Sequence, residues 1–502
     1  MSEELDSLLR REQEAWVTKS LWDALYDEAA SLALPQRNTF GMKNEPPGQG
    51  KNTEVYDSAL QQATVKLAGT LQATITPPFT AWAKLIPGPY VLTNRRETAK
   101  NLQNISDAVF AAMQVSTFDM AVGEFFLDLL LGTGIMLVLE GSDENVLKFN
   151  TIPISEIALE EGPDNTIGAV FRRFVKPART LKPMWKDFEF FPELEKLIEE
   201  KPQGLIKLSE VTFKDGNKFR YQVIVNNIDS VSKVCVDRLY TSNPWIIARW
   251  LKTSGEVFGR GPILNALPDA KTSNKVKELE LKNASLAILG VWMAKNNGFV
   301  NPNSLQILPG AVIPVQATGG QWGADIDKLP VGGSLEYSQI IQQDLQQSIK
   351  NALYDRSMPD KGGVRSATEW IIRNQQLQED IGAPFGRLHQ EFVRPLFKRI
   401  LDIFYRKGII PNRIPLDGGW EDVKITGTLA QAQNLKEVEA ISNWGSMCTS
   451  LIGPELFAGT AKVENLVSKV GDYLGISGDL IRSEEEKQQL AEVVANAGSP
   501  EG

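Results

Sequence analysis

The stretch ILNALPDAKTSNKVKELELKNASLAILGV, Ile263–Val291, decides how the rest of the chain divides. Its apolar residues recur at helical spacing, and Lys271, Lys275, Glu278 and Lys282 fall on one charged face at i+3/i+4 steps. The helical pattern stops there. Residues 296–333 are dense in Gly and Pro, with short apolar runs (LQIL, AVIPV) that fit a small β-rich module. Helical spacing then returns in SQIIQQDLQQSIKNALY, Ser338–Tyr354. Two long helices flanking a Gly/Pro-rich insertion are an unusual plan for a compact enzyme. They read as a stalk with a tip.

Moving outward toward the C-terminus, the next segment is DRSMPDKGGVRS, Asp355–Ser366. It carries Arg356, Lys361 and Arg365, and Gly362-Gly363 permits close backbone approach. Arg and Lys on such a loop suit phosphate contact, although a solvated linker has the same composition. Ser366-Ala-Thr-Glu369 has the form of a capping box, which starts a helix. Ile381, Phe385, Leu388, Phe392, Leu396, Ile400 and Phe404 keep one helical face, with breaks or kinks expected at Pro384 and Pro395. Residues 429–480 read as helix again, and Ser483-x-x-Glu486 caps a last one.

Moving outward toward the N-terminus, the texture is mixed. Residues 2–34 and 53–75 have helical periodicity, the second stopped by Pro77-Pro78, and 97–131 reads as one or two more helices. GIMLVLEG, LKFNTIPISEIALEE, TIGAVFRRFV, FRYQVIVNN and NPWIIARWLK read as strands. The first 262 residues are therefore α+β, and the chain as a whole is α+β and mainly helical.

The chain has 502 residues, 42% hydrophobic and 23% charged, the composition of a globular protein with room for several domains. Its net charge of −9 excludes a chain-wide basic footprint, so any contact with nucleic acid must be local. Two cysteines, Cys235 and Cys448, make no disulfide framework and fit a reducing compartment as small core residues. The charged N-terminus has no signal-peptide core, and the most apolar stretch, Phe125–Leu139, is too short and interrupted to span a membrane.

Chemistry-bearing motifs are sparse. The one histidine, His389, sits between Arg387 and Arg394 in a helical stretch and reads as a surface or interface residue. GQGKNTE, Gly48–Glu54, lacks the first glycine and the Ser/Thr of a phosphate loop. Gly132-x-Gly134 precedes a strand and reads as a turn rather than a dinucleotide fingerprint. Glu160-Glu161 and Asp325-x-Asp327 lack further ligands at metal spacing. No catalytic residue, metal site or cofactor is expected.

Six strings, in order along almost the whole chain, resemble the portal, or head-to-tail connector, proteins of short-tailed double-stranded-DNA bacteriophages. They are PPFTAWAKL (Pro77–Leu85), LLLGTGIMLVLEG (Leu129–Gly141), the stretch Asn243–Ser285, RSATEWIIRNQQLQEDIG (Arg365–Gly382), ITGTLAQAQNLKEVEAI (Ile425–Ile441) and LGISGDLIRSEEEKQQ (Leu474–Gln489). The resemblance implies a wing over residues 1–262, stem helices over 263–291 and 338–354, and a clip over 292–337. It further implies a tunnel loop over 355–366, a return through the wing over 367–424, and a crown and tail over 425–502. The tail past Glu485 is short, which puts an extended C-terminal barrel in doubt.

The implied function is structural, not enzymatic. A dodecameric ring at one vertex of the virion capsid would pass double-stranded DNA without reading its sequence, dock the terminase motor and the tail adaptor, and meet capsid and scaffolding proteins during assembly in the host cytoplasm. Arg356, Lys361, Gly362, Gly363 and Arg365 become candidates for the channel wall. Trp322, in GGQWGAD, becomes the candidate docking anchor, since aromatic residues dominate interface hot spots. Packing of Trp322 on a neighbouring subunit is the competing role. Another virion component, or an enzyme with a polar pocket, is the alternative for the chain as a whole.

Overall fold

The computed structural model describes residues 2–37, 40, 54–91, 95–142, 144–163, 166–185, 190–228, 231–289, 292–294, 326–328, 335–355, 382–426 and 428–453, with a few positions between 456 and 471. Helix α1 (Ser2–Ala33) lies on two cores in turn. Leu8 and Ala15 are buried against a sheet, whereas Tyr26, Ala29, Ala30 and Ala33 enter the main core. Helix α2 (Ala59–Ile75), strand β1 (Ala83–Pro87), and helices α3 (Arg95–Val115) and α4 (Phe118–Leu131) come next. The helix expected from residue 53 starts only at Ala59. The Asp57 carboxylate accepts the Ala59 N–H at 3.1 Å, and Asn274 Oδ1 accepts the amides of Tyr56 and Asp57.

Two antiparallel sheets continue the chain. Strand β2 (Thr133–Glu140) is the centre of the first, between β3 (Leu147–Thr151) and β9 (Trp245–Arg249). Six of its residues are buried in succession, as befits a strand covered on both faces. The second is a five-stranded meander of β4 (Ile157–Glu161), β5 (Ile167–Pro177), β6 (Leu205–Asp215), β7 (Lys218–Ile228) and β8 (Val231–Tyr240). Between β5 and β6 come the one-turn helix α5 (Leu181–Met184) and α6 (Pro192–Glu200). Side chains alternate across the pleat. Val223 and Val225 pack under Trp185, Leu194 and Ile198, and Ile224 between them packs with Leu8 of α1.

Strands β6 and β8 are absent from the expectation drawn from sequence. In β6, Glu210 is buried between the guanidinium of Arg172 (3.0 Å) and the Tyr221 hydroxyl (2.8 Å), so a charged residue occupies an inward position. Strand β12 (Glu421–Ile425) is absent from it too. It pairs antiparallel with β1, Ala83 opposite Ile425, across most of the chain.

The crossing that launches the next helix is made of glycines. A Cβ on Gly132 would lie 2.1 Å from the Gly259 carbonyl oxygen, and one on Gly261 would lie 1.9 Å from that of Leu130. The two strands of chain are also bonded, Gly261 N–H to Leu131 O at 3.1 Å and Gly259 N–H to Thr133 Oγ1 at 2.9 Å. Gly132-Thr-Gly134 is thus a turn into a strand, as expected. Helix α7 (Pro262–Leu289) leaves from here, is followed by β10 (Trp292–Ala294), which pairs antiparallel with β11 (Ile326–Lys328), and packs along α8 (Leu335–Ala352).

Helix α9 (Gly382–Leu388) continues through a π-turn, His389–Val393, into α10 (Arg394–Arg406). Pro384 lies within α9 without ending it. Pro395 lacks the N–H that would reach back one turn, and the wide turn just before it absorbs the loss without a break. The helical stretch expected over 429–480 is interrupted at Gly453, and the few described positions from 456 to 471 are helical again. Helix α11 (Thr428–Ile452) stops at Gly453, whose φ of +81° suits glycine.

Candidate functional site

The paired helices α7 and α8 are fastened at their base by a few polar residues. The Asp57 carboxylate accepts hydrogen bonds from Ser273 Oγ of α7 and from Gln346 Nε2 of α8, the latter at 3.1 and 3.3 Å. Asn274 of α7 also donates to Glu54 O at 2.9 Å, and Ser348 of α8 donates to Asp269 of α7 at 2.6 Å. One residue upstream of α2 therefore holds both long helices. An acidic residue next to a serine just before a helix is a cap signal, and it is the mark by which Asp57-Ser58 is legible in the sequence.

Two residues past the end of α8, Tyr354 takes φ +57°. The Tyr354 N–H donates to Asn351 O at 3.0 Å and the Asp355 N–H to Lys350 O at 2.8 Å, a Schellman closure. A left-handed tyrosine costs roughly 1 kcal/mol where glycine would cost little. Its ring lies 6.2 Å from that of buried Trp250, and the next carboxylate, Asp355, takes Lys66 of α2 at 2.6 Å. The point from which the chain departs after α8 is thus fixed by packing and by charge. No glycine marks that helix end, yet it is legible at the same residue in the sequence, from the polar, Gly-containing segment that follows.

Of the residues singled out from sequence, Lys271, Lys275, Glu278 and Lys282 are described. Lys275 (2.8 Å) and Lys282 both bond to Glu278, and Lys271 pairs with Glu28 of α1. The two ammonium groups hold the Glu278 carboxyl down to about 2. The charged face is largely self-neutralised. Arg356, Lys361, Gly362, Gly363 and Arg365, and Trp322, lie outside the described residues.

Among the remaining motifs, those that are described have structural partners, whereas residues 48–53, Asp325 and both capping boxes lie outside the described residues. Glu160 is held by Arg11 (3.0 Å) and Glu161 by Lys252 (2.9 Å). His389 Nε2 meets the Val423 carbonyl at 2.9 Å and ties the π-turn to β12. Cys235 is a core residue whose thiol burial pushes up to about 12, but Cys448 is only half-buried on α11, contrary to the core position expected. No described helix is long and apolar enough to cross a membrane.

Over residues 5–481 the chain matches the family described as bacteriophage head to tail connecting protein, and it belongs to that family. It is 21% identical to the portal protein of Salmonella phage epsilon15, over 97% of this chain and 91% of that one. To the probable portal protein of Bordetella phage BPP-1 it is 20% identical, over 94% of this chain and 87% of the other. The portal protein of Enterobacteria phage T3 is 22% identical over 62% of this chain and 59% of its own length. Among solved structures, the neck of an empty gene transfer agent particle computed with C6 symmetry is 12% identical, with a TM-score of 0.36 over 83% of this chain and 90% of that one.

Proposed function

We propose that this chain is the portal subunit of a double-stranded-DNA phage. The family match across nearly its full length, to relatives that are portal proteins, carries the reading. Copies close into a ring, by expectation a dodecamer, at one vertex of the capsid. DNA enters and leaves through the central channel, and terminase and a tail adaptor dock on the exposed end. The role is structural.

The wing, stem, clip, tunnel-loop and crown divisions belong to this proposal. The stem is α7 and α8. Arg356, Lys361 and Arg365 then form a belt, because ring symmetry repeats each charge. Screening beyond about 8 Å at physiological salt lets DNA respond to that belt rather than to the distant net charge. A channel that grips phosphates along its whole length would stall its cargo, since each neutralised phosphate adds affinity. The sharing of carboxylates by the lysines of α7 weakens that grip. Trp322 is the proposed anchor for the adaptor.

Two measurements test this reading. End-on electron microscopy of the purified protein should show rings with a central hole; monomers or dimers alone would sink it. Lys361→Ala with Arg365→Ala should leave rings intact while lowering DNA packaged per procapsid, and full packaging by the double variant would remove the loop from the channel wall.

A further inference from the structure

Helix α8 buries Gln342 and Ile349 on its inner face, and Leu353 just past its end is buried too. Its opposite face presents Tyr337, Ile340, Ile341 and Asp344, at i, i+3, i+4 and i+7. The three large residues are 71%, 64% and 52% exposed. Asp344 is exposed too and has no hydrogen-bond or ion-pair partner among the described residues.

Helix α7 carries the complement on its own outer side. Leu281 and Ile288, two turns apart, are 48% and 83% exposed. On the adjoining flank of the helix, across Glu278 from Leu281, Lys275 and Lys282 share the single carboxylate of Glu278, which leaves one positive charge over. The heights agree as well. Ser348 meets Asp269 and Trp292 pairs with Lys328, so the antiparallel register sets Asp344 within about a turn of Lys275 and Tyr337 near Leu281.

An apolar stripe of this kind is unfavourable in water by about 25 cal/mol for each Å² left uncovered. Pairing α8 with α8 of a second copy would set Asp344 against Asp344. Pairing α8 with α7 sets it against surplus lysine, and two different complementary faces on one chain are what a head-to-tail contact uses. We propose that the outer face of α8 in one copy docks on the outer face of α7 in the next, with Tyr337, Ile340 and Ile341 covering Leu281 and Ile288, and Asp344 beside Lys275. The inference rests on the ring reading and names the contact that closes it.

Mass photometry across a salt series tests it on the full chain, with circular dichroism to show that each variant is folded. Asp344→Lys and Ile340→Asp should each lower the fraction in rings severalfold, and adding Lys275→Glu to Asp344→Lys should restore most of it. Rings of Asp344→Lys and Ile340→Asp as abundant and salt-resistant as the unaltered ones would overturn the docking and leave the ring reading standing. Loss of rings in Asp344→Lys without recovery in the double variant would overturn the pairing of Asp344 with Lys275. An unaltered chain that stays monomeric at every salt overturns the ring and this contact together.

Discussion

At the scale of single residues, the glycines divide into those the fold requires and those it merely contains. Gly259 faces the Gly132 carbonyl oxygen, where an added Cβ would sit 2.1 Å away, whereas Gly69 in mid-α2 has nothing within 4 Å. Gly259→Ala should therefore destabilise the subunit by about 3 kcal/mol through overpacking. Gly69→Ala should stabilise it by up to about 1 kcal/mol through helix propensity. Thermal unfolding of the two variants, read as shifts of opposite sign, checks both. Glu278 gives the pH counterpart. Its folded-state acidity lies at about 2, below the ordinary carboxylate value, because Lys275 and Lys282 both bond to it. The stabilisation is therefore present above the ordinary value and is lost as pH falls through the interval down to about 2. Carbon-13 NMR of labelled glutamate should show this low midpoint, and Lys282→Ala should raise it; a midpoint in the ordinary carboxylate range would refute the shared pairing.

Elements are where sequence reading succeeds and fails for identifiable reasons. Helices α1, α7, α8 and α10 are legible because their apolar positions keep the period of the helix over many turns. Strand β6 is not legible, because Glu210 sits inward and only Arg172 and Tyr221, distant in sequence, explain why it can. Strands β1 and β12 are five residues each, and their pairing is a property of the folded chain alone. The charged face of α7 is legible, but its self-neutralisation depends on rotamers. Asp57 is the element-scale hub, since removing its carboxylate leaves Ser273 and Gln346 without their acceptor at a cost of about 1–3 kcal/mol. In Asp57→Ala, amide exchange should speed up along α8 while the five-stranded sheet keeps its protection. Uniform exchange in both would show that Asp57 does not fasten the hairpin.

On the scale of the whole molecule, the β1–β12 pair closes the body. Val423 and Ile425 enter the same core as Ala83 and Leu85, whereas α11 beyond them touches the body chiefly through α2. A chain cut after Thr426 should stay soluble with its helical and sheet spectrum intact, and a chain cut after Asp417 should aggregate. Equal solubility of the two would show that β12 is dispensable. The register also sets a schedule for biosynthesis. Pro87 leaves the ribosome long before its partner Glu421 is made, and at about 5–20 residues per second the wait is roughly 20 to 70 seconds. Through that interval β1 has an unpaired edge and the core above it lacks a wall. Each nascent chain thus passes through a sticky stage that lasts until β12 is made. Folding of the body cannot finish until Ile425 has left the ribosome, so the order of the gene itself sets when the body can close.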